Sequence, residues 1–157
     1  MNVGTLCKRR PVTALPSTSL SEVARLMRDE HVGAVIVVRG EPSGRLVCGI
    51  VTDRDIVHAQ LRRTADLSSI SAEEAMTRNP LVLGEDETVD GAIAHLRARA
   101  VRRAPVIAAD GALTGLISTD DLLLHLASKL IGTAGIVAQQ IRSAPPRQVD
   151  NVLTAGQ

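Results

Sequence analysis

Two short stretches hold the residues best placed to do chemistry: Gly49-Ile50-Val51-Thr52-Asp53-Arg54-Asp55 and Gly115-Leu116-Ile117-Ser118-Thr119-Asp120-Asp121. Each predicts an apolar strand running directly into a helix, with a hydroxyl residue at the junction and a carboxylate three residues later. A strand that stops at a helix N-terminus leaves backbone N–H groups unpaired, which suits an anion. The hydroxyls of Thr52 and Ser118 can donate to a phosphate, and the carboxylates of Asp55 and Asp121 can accept two hydrogen bonds from a ribose diol. The same spacing also describes a hydroxyl N-cap with an acid at N3, which needs no ligand. One such motif alone reads as capping; two in register, inside a repeat, favour a ligand.

The repeat is visible throughout the chain. Pro11-Val12-Thr13 aligns with Pro80-Leu81-Val82, Ser19-Leu20 with Thr88-Val89, and Val32 to Val38 with Val101 to Ile107. Leu20, Val23, Ala24 and Met27 follow the i, i+3, i+4, i+7 spacing of an amphipathic helix, and Val89, Ala92, Ile93 and Leu96 repeat it. Ser19 with Glu22 resembles a capping box, and Arg25, Arg28, Arg97 and Arg99 fall mainly on the polar sides of these helices. Apolar β-branched runs follow, and Asp110-Gly111 between two of them is a hairpin signal. Return strands Leu46 to Val51 and Leu113 to Ile117 lead into second helices near Asp53 and Thr119. Ser71-Ala72-Glu73-Glu74-Ala75-Met76 predicts a capped single turn. The last helix reaches Leu130 and meets Gly132 and Gly135; Ile136 to Ile141 extend it or form another short helix, and the tail beyond Pro145-Pro146 reads as disordered.

The expected fold is therefore α+β: two βαββα repeats, residues 1–67 and 68–130, packed sheet to sheet about a pseudo-twofold axis, followed by a C-terminal helix and tail, 131–157. Such packing places a cleft near each strand-to-helix junction.

Composition narrows the function. The chain of 157 residues has no Phe, Tyr or Trp, so no aromatic platform for stacking bases exists. With 18 basic and 17 acidic residues there is no global basic footprint for nucleic acid. The apolar runs read as too short for a bilayer, no signal peptide is apparent, and a cytoplasmic protein is the default expectation. Cys7 and Cys48 make neither a disulfide framework nor a metal site; Cys48 reads as a core thiol and Cys7 as exposed. His31, His58, His95 and His125 lack metal-ligand spacing, and no catalytic triad, P-loop or Rossmann fingerprint is present. An enzyme is not expected, and no cofactor is required.

The Gly-apolar-apolar-Thr/Ser-x-x-Asp pattern, placed twice behind apolar hairpins, resembles a tandem pair of CBS domains (a Bateman module) over residues 7 to 130. The chain is most similar to small stand-alone bacterial CBS pairs, the hypoxic-response type among them. That resemblance implies a regulatory module that binds an adenosine-containing effector (AMP, ADP, ATP, NAD or S-adenosylmethionine), forms a homodimer and is read by an effector protein. It implies ribose contacts from Asp55 and Asp121, and phosphate contacts from Thr52, Arg54, Ser118, Arg102 and Arg103. Thr13, Ala14, Val35 and Ile36 would line one base pocket; Val82, Leu83, Ala104, Pro105 and Val106 would line the other. Arg54 in the first motif stands where the second has Asp120, so the two clefts are expected to differ. A ligand-free dimerisation scaffold is the alternative, and neither nucleic acid nor membrane is an expected partner.

Overall fold

The computed structural model describes residues 1–40, 44–62 and 66–143. The chain divides into two units, the first running from Met1 to Leu123 and the second starting at Leu124.

The first repeat contains β2 (Thr13–Ala14), α2 (Leu20–Asp29), β3 (Ala34–Arg39), β4 (Leu46–Thr52) and α3 (Asp53–Arg62); the second contains β6 (Leu83–Gly84), α5 (Val89–Ala98), β7 (Arg103–Ile107), β8 (Leu113–Ser118) and α6 (Thr119–Ser143). Ahead of each lies a single helical turn and a two-residue strand: α1 (Val3–Leu6) with β1 (Lys8–Arg9), and α4 (Ala72–Ala75) with β5 (Thr77–Arg78). The βαββα expectation holds, with one addition that sequence periodicity does not show. The lead-in strands are exchanged: one sheet has the order β2-β3-β4-β5 and the other β1-β8-β7-β6. β5 pairs with β4 of the first repeat, and β1 pairs with β8 of the second.

The exchange explains Gly49 and Gly115. A Cβ on Gly49 would stand 2.4 Å from Met76 Sδ and 2.9 Å from the Thr77 carbonyl; on Gly115 it would stand 2.5 Å from Cys7 Sγ and 3.0 Å from the Lys8 carbonyl. Each glycine seats the sulfur of an exchanged segment. Ala72 and Met76 accordingly belong to the core of the first repeat with Leu20, Val23, Val35, Val37 and Val51. Val3 and Cys7 belong to that of the second with Leu83, Leu96, Ala104, Val106 and Ile117. Cys7 is thus buried rather than exposed, and burial raises its thiol pKa above the ordinary value. Cys48 is half-buried and packs against the other core from β4.

Both faces of β3 are buried, since successive side chains point to opposite sides of a sheet. Val35 and Val37 face the helices; Ala34, Ile36 and Val38 are covered on the other side, where the sheets meet. The hairpin ends are tied by the Leu113 N–H donating to the Arg45 carbonyl at 2.9 Å. Ser71 and Glu74 form the capping box that the sequence predicts. Ser19 caps α2 by accepting from the Glu22 N–H at 3.2 Å, while the Glu22 carboxylate lies 3.7 Å from Arg25 instead of completing the box. Gly111, at φ +85°, makes the Asp110-Gly111 turn that β7 and β8 require.

α6 takes the extended one of the two forms that the sequence allows, but its apolar run is longer than expected. It runs unbroken for 25 residues through Gly132 and Gly135, and is long and apolar enough, by length and composition alone, to cross a membrane. The short apolar runs merge into one stretch because Lys129 is the single charged residue between Leu122 and Ile141. Predicted features of residues 144–157 lie outside the described residues.

Candidate functional site

At the end of β4, the Thr52 N–H donates to Asp55 Oδ2 at 2.8 Å and the Thr52 hydroxyl donates to the same oxygen at 2.7 Å. The Asp55 N–H points back to Thr52 Oγ1 at 3.4 Å. The second junction repeats this: the Ser118 N–H and hydroxyl both donate to Asp121 Oδ2, and the Asp121 N–H donates to Ser118 Oγ at 3.2 Å. The capping arrangement is therefore built at both junctions. It is compatible with binding, because capping uses one carboxylate oxygen and fixes the direction of the other.

A cavity of about 590 Å³ opens beside the first junction. Thr52, Asp53, Arg54 and Asp55 form one wall, Thr77 to Leu81 a second, and Arg99 to Arg103 a third, with Ile50 at the base. Five arginines (Arg54, Arg78, Arg99, Arg102 and Arg103) thus face two carboxylates. Arg78 is paired with Glu73 at 3.3 Å, and Arg102 lies 3.7 Å from Asp120. Among the described residues Arg54, Arg99 and Arg103 make no ion pair. Arg103 reaches across the repeats: a Cβ on Gly33 would stand 3.4 Å from its Nη1 and 3.5 Å from Asp53 Oδ2. Ile50, Pro80, Leu81 and Val101 give the cavity apolar ground beside this charge. Asp55 also borders a neighbouring cavity of about 330 Å³ with His58, Ala59 and Arg62.

The structure thus brings Thr52, Arg54, Asp55, Arg102 and Arg103 to one cavity, although sequence alignment assigns them to two different repeats. Ser118 and Asp121 do not line it; Asp121 Oδ1 instead lies 4.0 Å from Lys8 Nζ. The residues expected to line base pockets are mostly interior. Ala14 and Val35 belong to the core of the first repeat, and Leu83, Ala104 and Val106 to that of the second, because their strand positions face the helices. Ile36 and Pro105 are fully buried on the opposite faces of their strands. Thr13 accepts a hydrogen bond from Arg45 at 2.9 Å, and Val82 is exposed.

The sequence reading missed Arg78, Asn79, Pro80, Leu81 and Val101 as lining residues, and assigned Arg99 to a helix surface. Arg99 is the C-cap of α5, and the next residue, Ala100, turns into the left-handed region at φ +52°. Ala100 and Val101 donate to Arg97 and Leu96 carbonyls at 3.1 Å each, the double closure of a Schellman motif. His31 ends α2 in the same way at φ +53°, and Arg10 (φ +58°) and Asn79 (φ +49°) form a second left-handed pair after β1 and β5. Each pair is one repeat length apart. Two of these four residues line the cavity, consistent with strained backbone gathering at binding sites. Glycine would have signalled such turns in the sequence, but none stands at these positions.

Known proteins show the same architecture. The CBS domain family model matches residues 3–62 and 72–128. An uncharacterized protein of Methanopyrus kandleri is 27% identical over 78% of this chain and 61% of its own length. The YlbB protein of Bacillus subtilis is 38% identical over 66% of this chain and 67% of its own length. Inosine-5'-monophosphate dehydrogenase of Mycobacterium leprae is 35% identical over 72% of this chain, but over only 20% of the dehydrogenase. The chain spans about three fifths of the length of two archaeal relatives that it matches. Among solved structures, the CBS-domain protein ATU1752 of Agrobacterium tumefaciens superposes with a TM-score of 0.69 at 30% identity, covering 80% of this chain and 98% of that one. CBSX2 in complex with AMP gives 0.69 at 24% identity, covering 81% and 96%. The CBS pair of MJ0100, in complex with 5'-methylthioadenosine and S-adenosyl-L-methionine, gives 0.71 at 24%, covering 82% and 98%.

Proposed function

Because this chain belongs to the CBS-domain family and carries the domain twice, we propose that it is a regulatory module whose arginine-lined cavity binds an adenine nucleotide. The observation that carries this reading is the convergence of Thr52, Asp55, Arg102 and Arg103 on one cavity of about 590 Å³. Asp55 takes the ribose diol with the carboxylate oxygen that capping leaves available. Thr52 and the α3 N-terminus face the phosphates, together with Arg54 and Arg103, and Pro80, Leu81 and Val101 offer the base an apolar surface. The AMP and S-adenosylmethionine complexes of similar folds support the adenosine class. Here five arginines against two aspartates favour an anionic ligand: ADP and ATP bind more tightly than AMP, and a sulfonium cation binds weakly.

The ligand bridges the two repeats and shifts the packing between them, a change that a partner protein reads and that is carried by a homodimer. The module acts in the cytoplasm and turns over no substrate.

Calorimetry with AMP, ADP, ATP and S-adenosylmethionine tests the reading. Asp55→Ala is expected to weaken nucleotide binding at least tenfold, since a hydrogen bond to a charged group contributes about 1.5–3 kcal/mol. Because the chain has no Trp or Tyr, nucleotide retained through purification dominates its near-ultraviolet absorbance. Desalted protein that is silent at 260 nm and shows no melting shift with any of the four would establish the scaffold reading instead.

A further inference from the structure

The second unit, taken by itself, is a single helix with an apolar face among its described residues. From Leu124 onward, Leu124, Leu130, Ile131, Val137 and Ile141 are all more than half exposed. The wheel of α6 puts them on one side with Ala127, Ala134 and Ala138 and with Arg142 at its edge, and puts His125, Ser128, Lys129, Thr133, Gln139 and Gln140 on the other, with Ile136 among them. Leu124, Ala127, Ile131, Ala134, Ala138 and Ile141 follow the alternating three- and four-residue steps of a heptad seam, three of them bulky and three alanine. Among the described residues nothing lies within 4 Å of a Cβ placed on Gly132 or Gly135, so these glycines weaken the helix without serving a contact there. A solitary helix of this length and composition gains little from its own hydrogen bonds in water, and most helical stability comes from packing an apolar face.

We propose that this face of α6 pairs with the same face of a second copy of the chain. Each fully buried Leu, Ile or Val withdraws about 60–120 Å² from water. Five such residues on each of two copies, with the intervening alanines, reach about 1,000 Å², the size a specific interface requires. Alanine at three of the six seam positions lets the two backbones approach closely, so that Leu124, Ile131 and Ile141 interlock. A bilayer fits the helix less well. Lys129 and two glutamines on the opposite face would be buried at cost in a spanning helix, and a surface-lying helix wants a lysine- and arginine-rich polar side, where this one has Lys129 alone from Leu124 onward.

The test is sedimentation equilibrium on the full chain without nucleotide, so its outcome is independent of what the cavity binds. The wild-type chain is expected to self-associate. Ile131→Glu should lower the mass at a given concentration towards half and raise the dissociation constant at least a hundredfold, whereas Gln139→Glu on the opposite face should leave both unchanged. Near-identical melting of the two variants at low concentration would show that the first unit is intact. A monomeric wild-type chain, or an assembly that Ile131→Glu leaves unaltered, would overturn the proposal. So would co-sedimentation of a monomeric wild-type chain with phosphatidylcholine–phosphatidylglycerol vesicles, which would assign the face to lipid.

Discussion

The two strand-to-helix junctions have one backbone and two different surroundings. In the first, Arg54 stands between the hydroxyl and the carboxylate; in the second, Asp120 does. The segment that opens β7 brings Arg102 and Arg103 to the first junction, whereas the aligned segment that opens β3 offers only Gly33 and Ala34. Lys8 lies near Asp121, and Arg9 is paired with Glu85 at 2.6 Å, so cations beside the second junction already have partners in the protein. Asp120 adds a negative charge and draws on Arg102. Duplication thus supplies the scaffold twice, and the two copies differ in the charge around them.

The largest expected effect breaks that comparison directly. Arg103→Ala and Asp55→Ala should each weaken nucleotide binding tenfold or more, while Asp121→Ala should change affinity less than threefold by the same calorimetry. Equal losses from Asp55→Ala and Asp121→Ala would make the clefts equivalent. Next come the two glycines that seat sulfurs. Gly115→Ala should cost about 2–3 kcal/mol in urea unfolding and Gly49→Ala about 1–2, because the Met76 side chain swings aside more readily than the short Cys7. The reverse order would show that backbone contacts with Thr77 and Lys8 dominate.

A smaller gain is expected at the left-handed helix ends. Ala100→Gly and His31→Gly should each stabilise the fold by about 0.5–1 kcal/mol, measured the same way, since glycine meets no Cβ penalty there. The smallest effect is a pH dependence confined to one core, because Cys7 titrates and its counterpart Met76 does not. Burial raises the Cys7 pKa, so the folded state holds the thiol proton more tightly than the unfolded chain does. That contribution is complete below the unfolded thiol pKa, about 8.5, and is lost as pH rises through the higher folded value. The melting temperature of the wild-type chain should therefore fall more steeply above pH 8.5 than that of Cys7→Ala.

The fold was legible where periodicity and turn chemistry act locally. The spacing of Leu20, Val23 and Met27, the Asp110-Gly111 turn and the Ser71 to Glu74 box each specify their element without help from afar. The exchange of β1 and β5 was not legible, since two-residue strands carry no period and pair with residues distant in sequence. Cys7 was misread for that reason. The chemistry of Thr52 and Asp55 was visible in their spacing, but their meeting with Arg99, Arg102 and Arg103 depends on how the repeats face each other. The alignment placed Arg102 and Arg103 with the second motif, and only the packing brings them to the first.

The interchange of lead-in strands makes the two halves hostages of one another. Severing the chain between them would leave each fragment with a glycine notch and an open sheet edge where its neighbour's peptide had been. Unfolding should therefore pass through a single transition, and trimming or tagging the first nine residues should injure the half that lies farther along the chain.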